Sequence, residues 1–279
     1  MNEQALKDRL LIIAKEKGIL FNQCWKNLLL ERFLARLSKS SEREKIIFKG
    51  GFLLSYLIDI GRETMDLDFL MNRINAEEEE IRNSIERVLS EKLEDGFVFL
   101  YEKTELLEQP HMAYAGYRIT LKVLFGKMRD KIQIDVGVGD VVVPESRTFP
   151  VFSHRGKPLF EGEISLMVYP AETIFAEKLE TVISKGEKNS RMKDYHDLLL
   201  LCREVGLLKR DLLDSSIENT FSRRSTFYEQ IAFTDTGLSA LQKLWMAHRK
   251  GLGDIADELL LPTDIREVIS EINLTLQNL

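Results

Sequence analysis

Charged residues interrupt the apolar ones at helical spacing through the first part of the chain. Leu10, Ile13, Leu28, Leu29, Phe33 and Leu37 recur in that way, so residues 3–37 are expected to be helical, in two pieces. A polar break over 38–44 leads to Lys45-Ile46-Ile47-Phe48, a short apolar run read as a buried strand and ended by Gly50-Gly51. Helical character returns over 52–60. After a turn, Met65-Asp66-Leu67-Asp68-Phe69-Leu70-Met71 alternates acid with apolar residues as a strand does. Residues 76–94 read as a charged helix with glutamates at its amino end, where the helix dipole favours them.

Beyond Asp95-Gly96 the period changes to two. Segments 97–101, 114–125 and 131–136 are expected as strands of one sheet, with Gly126 and Arg129-Asp130 turning the second into the third. Residues 141–151 carry two prolines and read as irregular, and 164–168 as a further strand. Helices are expected over 171–184 and 191–204, with a polar loop between them and three or more helices after. The fold class is therefore α+β, since a hairpin argues against an all-parallel sheet. The division expected is a mixed-sheet domain with amino-terminal helices over 1–169 and a helical domain over 170–279.

The composition agrees with a folded chain. Of 279 residues 44% are hydrophobic and 30% charged, with six prolines and no low-complexity tract, so disorder is excluded as the general reading. No stretch has the apolar length to cross a bilayer, and the amino terminus is amphipathic, unlike a signal peptide. Cys24 and Cys202 lie far apart without a metal-binding spacing, which disfavours a disulfide framework and points to the cytoplasm. The net charge of −6 disfavours a protein that coats long DNA but is compatible with a small basic surface for one RNA end.

The candidate chemistry begins with Asp66 and Asp68. Residues two apart on a strand share a face, so both carboxylates point to one place, where a hard divalent ion such as Mg2+ would offset their repulsion. Asp-x-Asp is also common on exposed strand faces, and the pair alone does not decide between the two. Asp135 interrupts an apolar strand and shares its polar face with Gln133 and Gly137. It is either a third metal ligand or a solvent-facing acid. Gly50-Gly51, between a strand and a helix, lets the backbone approach a ligand and offers free amides to phosphate, without the spacing of a Walker loop.

In the helical half, Lys178 borders an apolar face and can reach a phosphate as a point charge; an ordinary surface pair with Glu177 or Glu172 is the alternative. Asp194 and Asp197 stand one turn apart and can face the same cleft. His196 is expected to be an exposed helix residue, because no second histidine has ligand spacing. His111, His154 and His248 read as isolated. Basic clusters at Lys185, Lys188, Arg191 and Lys193, at Arg223-Arg224, and at His248-Arg249-Lys250 are either RNA guides or solvated faces. Phe227 and Tyr228 either stack a base or pack locally.

In order along the chain, four motifs carry a resemblance. They are Phe48-Lys49-Gly50-Gly51, Arg62-Glu63-Thr64-Met65-Asp66-Leu67-Asp68-Phe69, Ala176-Glu177-Lys178-Leu179 and Lys193-Asp194-Tyr195-His196-Asp197-Leu198. Over residues 46–200 the chain resembles the AbiEii/AbiGii toxin family of nucleotidyltransferases. The resemblance implies a DNA-polymerase-β-like core followed by a helical part. In the family the acids matching Asp66 and Asp68 hold the metal, the lysine matching Lys178 binds the nucleotide phosphates, and the acid matching Asp194 is required for activity. Members include toxins of toxin–antitoxin and phage-defence systems, some of which add nucleotides to the 3′ end of tRNA, and their usual partner is an antitoxin. Gly51 departs from the serine usual in the broader superfamily, and Met65 from a polar residue.

The expectation is thus a Mg2+-dependent nucleotidyltransferase moving NMP from an NTP to an acceptor, the tRNA 3′ end. Asp66 and Asp68 would hold the ion, with Asp135 as a third ligand. Lys178, Lys49, Gly50, Gly51 and Arg62 would serve the nucleotide, and Asp194 would complete the catalytic set. A protein acceptor, or a non-catalytic binding module on the same fold, are the rival readings.

Overall fold

The computed structural model describes residues 1–72, 77–107, 116–139, 142–160 and 163–278. The chain forms two compact units. Unit 1 comprises Met1–Leu53 and Glu63–Tyr169, and unit 2 comprises Leu54–Arg62 and Pro170–Leu279.

Unit 1 opens with helices α1 (Glu3–Glu16) and α2 (Phe21–Lys39). Asn2 caps α1, its side chain accepting from the Ala5 amide at 2.9 Å, and Leu6, Leu10, Ile13 and Ala14 form its buried stripe. A seven-stranded mixed sheet follows in the order β3-β4-β5-β2-β1-β9-β6. The strands are β1 (Ile46–Lys49), β2 (Asp66–Met71), β3 (Phe97–Leu107), β4 (Gly116–Phe125), β5 (Met128–Val138), β6 (Glu145–Phe149) and β9 (Ile164–Val168). Two-residue strands β7 (Ser153–His154) and β8 (Lys157–Pro158) make a separate small hairpin.

One face of the sheet is apolar. Leu67 and Phe69 of β2 and Ile132, Ile134, Val136 and Val138 of β5 are buried, alternating with less buried polar positions. Helices α2 and α4 (Glu78–Leu89) pack on the sheet. The carboxy-terminal turn of α2 is tied to the start of β3 by a buried ion group: Arg36 donates to both Asp95 oxygens at 2.9 Å and to the Phe97 carbonyl at 2.8 Å.

Several boundaries differ from the sequence reading, each for a local reason. Helix α4 ends at Leu89, where the Ser90 hydroxyl folds back onto the Arg87 carbonyl at 2.6 Å; its expected first residue, Ala76, lies outside the described residues. Strand β3 runs to Leu107 because β4 continues to pair with it past an irregularity at Tyr101/Lys103. Its outer half is charged, as suits an edge strand. The segment read as irregular contains β6, an edge strand set between Pro144 and Pro150, positions where the missing amide hydrogens interrupt no interior ladder. The β4–β5 turn is the pair Gly126-Lys127, tighter than expected. Residues 114 and 115 of the expected second strand, Val141, and His111 lie outside the described residues.

Helix α3 (Gly50–Leu57) carries the chain from unit 1 into unit 2, which is otherwise helical. It contains α5 (Ala171–Lys185), α6 (Met192–Arg203), α7 (Arg210–Arg223), α8 (Asp235–Leu252), α9 (Ile255–Glu258) and α10 (Ile265–Asn278). Helix α6 is central: it packs on α5, α8 and α10, and nearly every residue from Met192 to Leu201 is buried.

Candidate active site

In unit 1 the register of four strands builds a single polar row. Lys49 of β1 stands opposite Asp68 of β2, Asp68 opposite Asp135 of β5, and Asp135 opposite Arg118 of β4. Residues paired across neighbouring strands project from the same face, so Lys49, Asp68, Asp135 and Arg118 line up across the sheet. Asp66 lies two residues before Asp68 on that face, opposite Gln133. The row occupies the side away from the apolar face, which explains why acids interrupt otherwise apolar strands.

Gly50 closes the row at one end. Its φ of 78° is in the left-handed region, and a Cβ there would overlap the Asp68 carboxylate. The strand-to-helix turn can follow β1 this closely only because residue 50 has no side chain. Gly51 is the second residue of α3. The Lys49 ammonium lies 4.5 Å from the centroid of the Tyr169 ring and donates to the Tyr169 hydroxyl at 3.3 Å.

Arg118, which the sequence reading did not single out, grips Asp135. Its Nε and Nη2 donate to the two carboxylate oxygens at 2.7 and 2.6 Å. The hydrogen bonds to Asp135, outweighing burial, push the guanidinium's pKa further up, and the charges of Asp135, Asp66 and Asp68 add to this. A signal for Arg118 exists in the sequence: a two-residue turn at Gly126-Lys127 fixes the hairpin register, and counting back from Phe125 opposite Met128 reaches Arg118 opposite Asp135. Among the described residues no three His, Cys, Asp or Glu side chains gather into a cage for a metal ion.

Unit 2 brings Arg62, Lys178, Asp194 and Asp197 together. Lys178 lies 2.6 Å from Asp197 Oδ2 and 3.4 Å from Asp194 Oδ1. Arg62 donates from Nε and Nη2 to the two Asp197 oxygens at 2.9 and 2.6 Å, and Arg191 donates to Asp194 at 2.8 Å. Asp197 is fully buried. Burial alone would raise its pKa, but Lys178 and Arg62 together hold it far below the usual carboxylate range. Burial likewise opposes the charge on Lys178, and Asp197 and Asp194 overcome it, so the ammonium's pKa is raised. The helix spacing indicated that Asp194 and Asp197 share a face; it did not show that Asp197 anchors two cations. Lys178 is no surface partner of Glu172 or Glu177.

His196 departs from expectation. It is buried, not exposed, because α6 is enclosed on nearly all sides. Its Nδ1 lies 2.9 Å from Nε2 of His248, which stacks on Trp245, so His248 is not isolated either. Burial drives the His196 pKa down to about 4 and lowers that of His248. The basic clusters are partly committed to local ion pairs: Arg224 with Glu180 at 2.7 Å, Arg249 with Asp257 at 2.7 Å. Phe227 is exposed, whereas Tyr228 packs edge-on against Phe221. Cys24 and Cys202 are free thiols.

Comparison with known proteins adds one decisive match. Residues 32–269 match the family described as nucleotidyl transferase AbiEii toxin, type IV toxin–antitoxin system. No curated protein matches the chain. Among solved structures, a proposed nucleotidyltransferase from H. pylori is 15% identical, with a TM-score of 0.42, and the alignment covers 90% of this chain and 92% of that one. JHP933 from Helicobacter pylori is 13% identical, with a TM-score of 0.42 and coverage of 89% and 88%. The family match spans most of the chain and contains both residue groups described above, and the protein belongs to the AbiEii nucleotidyltransferase toxin family.

Proposed function

We propose that the protein is a Mg2+-dependent nucleotidyltransferase that transfers NMP from an NTP to the 3′ end of tRNA, as the toxin of a type IV toxin–antitoxin pair. The observation that carries the reading is the polar row on β1, β2, β5 and β4, with Asp66 and Asp68 side by side on one face and Gly50 giving up its side chain to the Asp68 carboxylate.

The donor set suits the ion. Asp66 and Asp68 supply hard carboxylate oxygens of the kind Mg2+ takes beside phosphates, and the strand holds both on one side. Bound there, Mg2+ would neutralise charge on the nucleotide phosphates. In the reaction, a 3′-hydroxyl oxygen of the acceptor forms a bond to the α-phosphorus of the NTP. The bond from that phosphorus to the bridging oxygen breaks, pyrophosphate leaves, and the hydroxyl proton passes to a base or water. Asp135, in the same row, is the third carboxylate proposed as a ligand, held by Arg118 in the structure.

Lys178 and Arg62 supply positive charge for the triphosphate. Both are pre-positioned by Asp197, and Lys178 also by Asp194, so little ordering remains for the substrate to impose. Lys49 and the Gly50-Gly51 turn bring a cation and backbone amides to the row. An antitoxin is the expected protein partner. The assigned compartment is the cytoplasm; among the described residues no helix is long and apolar enough to cross a membrane.

The test is transfer from each of four α-labelled NTPs to total tRNA. Wild-type protein should label tRNA at its 3′ end, and Asp66→Asn or Asp68→Asn should lose nearly all of that activity while keeping the wild-type circular dichroism. Undiminished transfer by both variants sinks the metal assignment. Label appearing on protein instead replaces the acceptor, and no transfer together with no Mg2+-dependent NTP binding leaves a binding module.

A further inference from the structure

We infer that Arg118 is a built-in counter-ion of the carboxylate row, which keeps Asp135 to itself and leaves Asp66 and Asp68 as the resting cation site. This rests on the proposed function, since it takes those two acids as ligands.

The argument starts from register. Asp68 and Asp135 are direct neighbours on parallel strands, and like charges placed so are unfavourable unless something offsets them. Lys49 stands opposite Asp68 on the other side, and on the Asp135 side a divalent cation or Arg118 can do so. In the structure Arg118 does it, with both of its fork nitrogens on both Asp135 oxygens. A carboxylate engaged in this way has both of its oxygens occupied by the guanidinium. The guanidinium and an incoming cation are therefore competitors for one carboxylate.

The pair is also placed to exchange. The Arg118 and Asp135 side chains keep 33% and 20% of their exposure, unlike the buried Arg36–Asp95 pair at 3% and 2%. Arginine does not deprotonate, so Asp135 is released only when another charge takes the guanidinium's place. The site would then assemble in order, a cation held first by Asp66 and Asp68 and Asp135 joining afterwards. Arg118 is a positioning residue in this scheme, acting through Asp135.

The experiment is titration of the purified full-length protein with Mn2+ alone, free Mn2+ being followed by electron paramagnetic resonance. Arg118→Gln should bind Mn2+ about tenfold more tightly than wild type, the size of effect expected when a unit charge a few ångströms from a divalent ion is removed in a largely aqueous setting. The double variant R118Q/D135N should return to within about twofold of wild type, because the freed carboxylate supplies the gain. Should R118Q fail to fold, Arg118→Lys, which keeps the charge but loses the fork, is expected to bind more tightly than wild type by a smaller factor. Equal affinity in wild type and R118Q overturns the inference and leaves the metal assignment standing. A double variant as tight as R118Q also overturns it, since Asp135 would not be the recruited group. If neither wild type nor R118Q binds Mn2+, both the metal assignment and the inference fall.

Discussion

The carboxylate of Asp68 occupies the space that a side chain at residue 50 would fill, at a backbone φ of 78°. Two costs therefore attach to any substitution there, conformational strain and overlap with the acid. Gly18 separates them, having a φ of 66° with open space where its Cβ would lie. Gly18→Ala should cost about 1 kcal/mol, the strain of a left-handed residue, and Gly50→Ala about 2 kcal/mol or more. Urea denaturation followed by Trp25 fluorescence in a Trp245→Phe background reads unit 1 for both, and equal losses would refute the contact.

Asp197 and Asp194 should not be equivalent. Asp197→Asn leaves Lys178 and Arg62, each only about an eighth exposed, without their shared counter-charge. A loss of about 3 kcal/mol or more is expected, as for other broken buried pairs. Asp194→Asn should cost less, because its closest partner, Arg191, is half exposed. Denaturation midpoints followed by Trp245 in a Trp25→Phe background give the ranking, and the reverse order would contradict it.

Glu31 sets a limit on the alkaline side. Burial pushes its pKa from 4.5 up to about 7, against the pull of the Phe152 amide and Arg32. The folded state thus binds this proton more tightly than the unfolded chain. The associated stability is fully present below about pH 4.5 and is lost as pH rises through about 7. Glu31→Gln should be more stable than wild type at pH 8 by up to about 3 kcal/mol, and the advantage should shrink to about 1 kcal/mol or less at pH 5 and vanish below about pH 4. A pH-independent difference would show that the carboxyl is not the titrating group.

His196 acts on the acid side, with the opposite sign. Burial lowers its pKa from 6.5 to about 4, so the unfolded chain takes up a proton that the folded one refuses. Stability is intact above pH 6.5 and falls as pH drops towards 4. Replacing His196 by Asn should flatten that decline, by up to about 3 kcal/mol at its lower end, whatever the variant loses at neutral pH. Parallel thermal unfolding of both proteins from pH 7 to 4.5 measures the difference.

Much of the fold was legible because its periods are clean. Alternation exposed β2, β4 and β5, and helical spacing exposed α1, α2, α5 and α6. The prolines around β6 obscured it, since their meaning depends on whether a strand is at an edge, which no local pattern reports. The placement of β2 between β1 and β5 is non-local as well, and only it turns Asp68 and Asp135 into neighbours. Arg118 was within reach of the hairpin register and was lost by assuming a longer turn. Histidine spacing along the chain, from which His196 reads as exposed, says nothing of a helix enclosed all round, where polar groups must pair with each other.

The assignment of Leu54–Arg62 to unit 2 has a consequence for how the chain is made. Leu54, Ile58 and Ile60 are buried, and a Cβ at Gly61 would overlap Ile255 and Leu259, so this segment's packing partners include residues almost 200 positions later. At a synthesis rate of about 5–20 residues per second, a nascent chain waits roughly 10–40 s between making Gly61 and making those partners. Until then the link between β1 and β2, the very strands that carry Lys49, Asp66 and Asp68, has an unsatisfied apolar insertion at its centre. A chain cut at residue 169 would lack these partners, and the nascent chain completes this link only after residue 259 has been made.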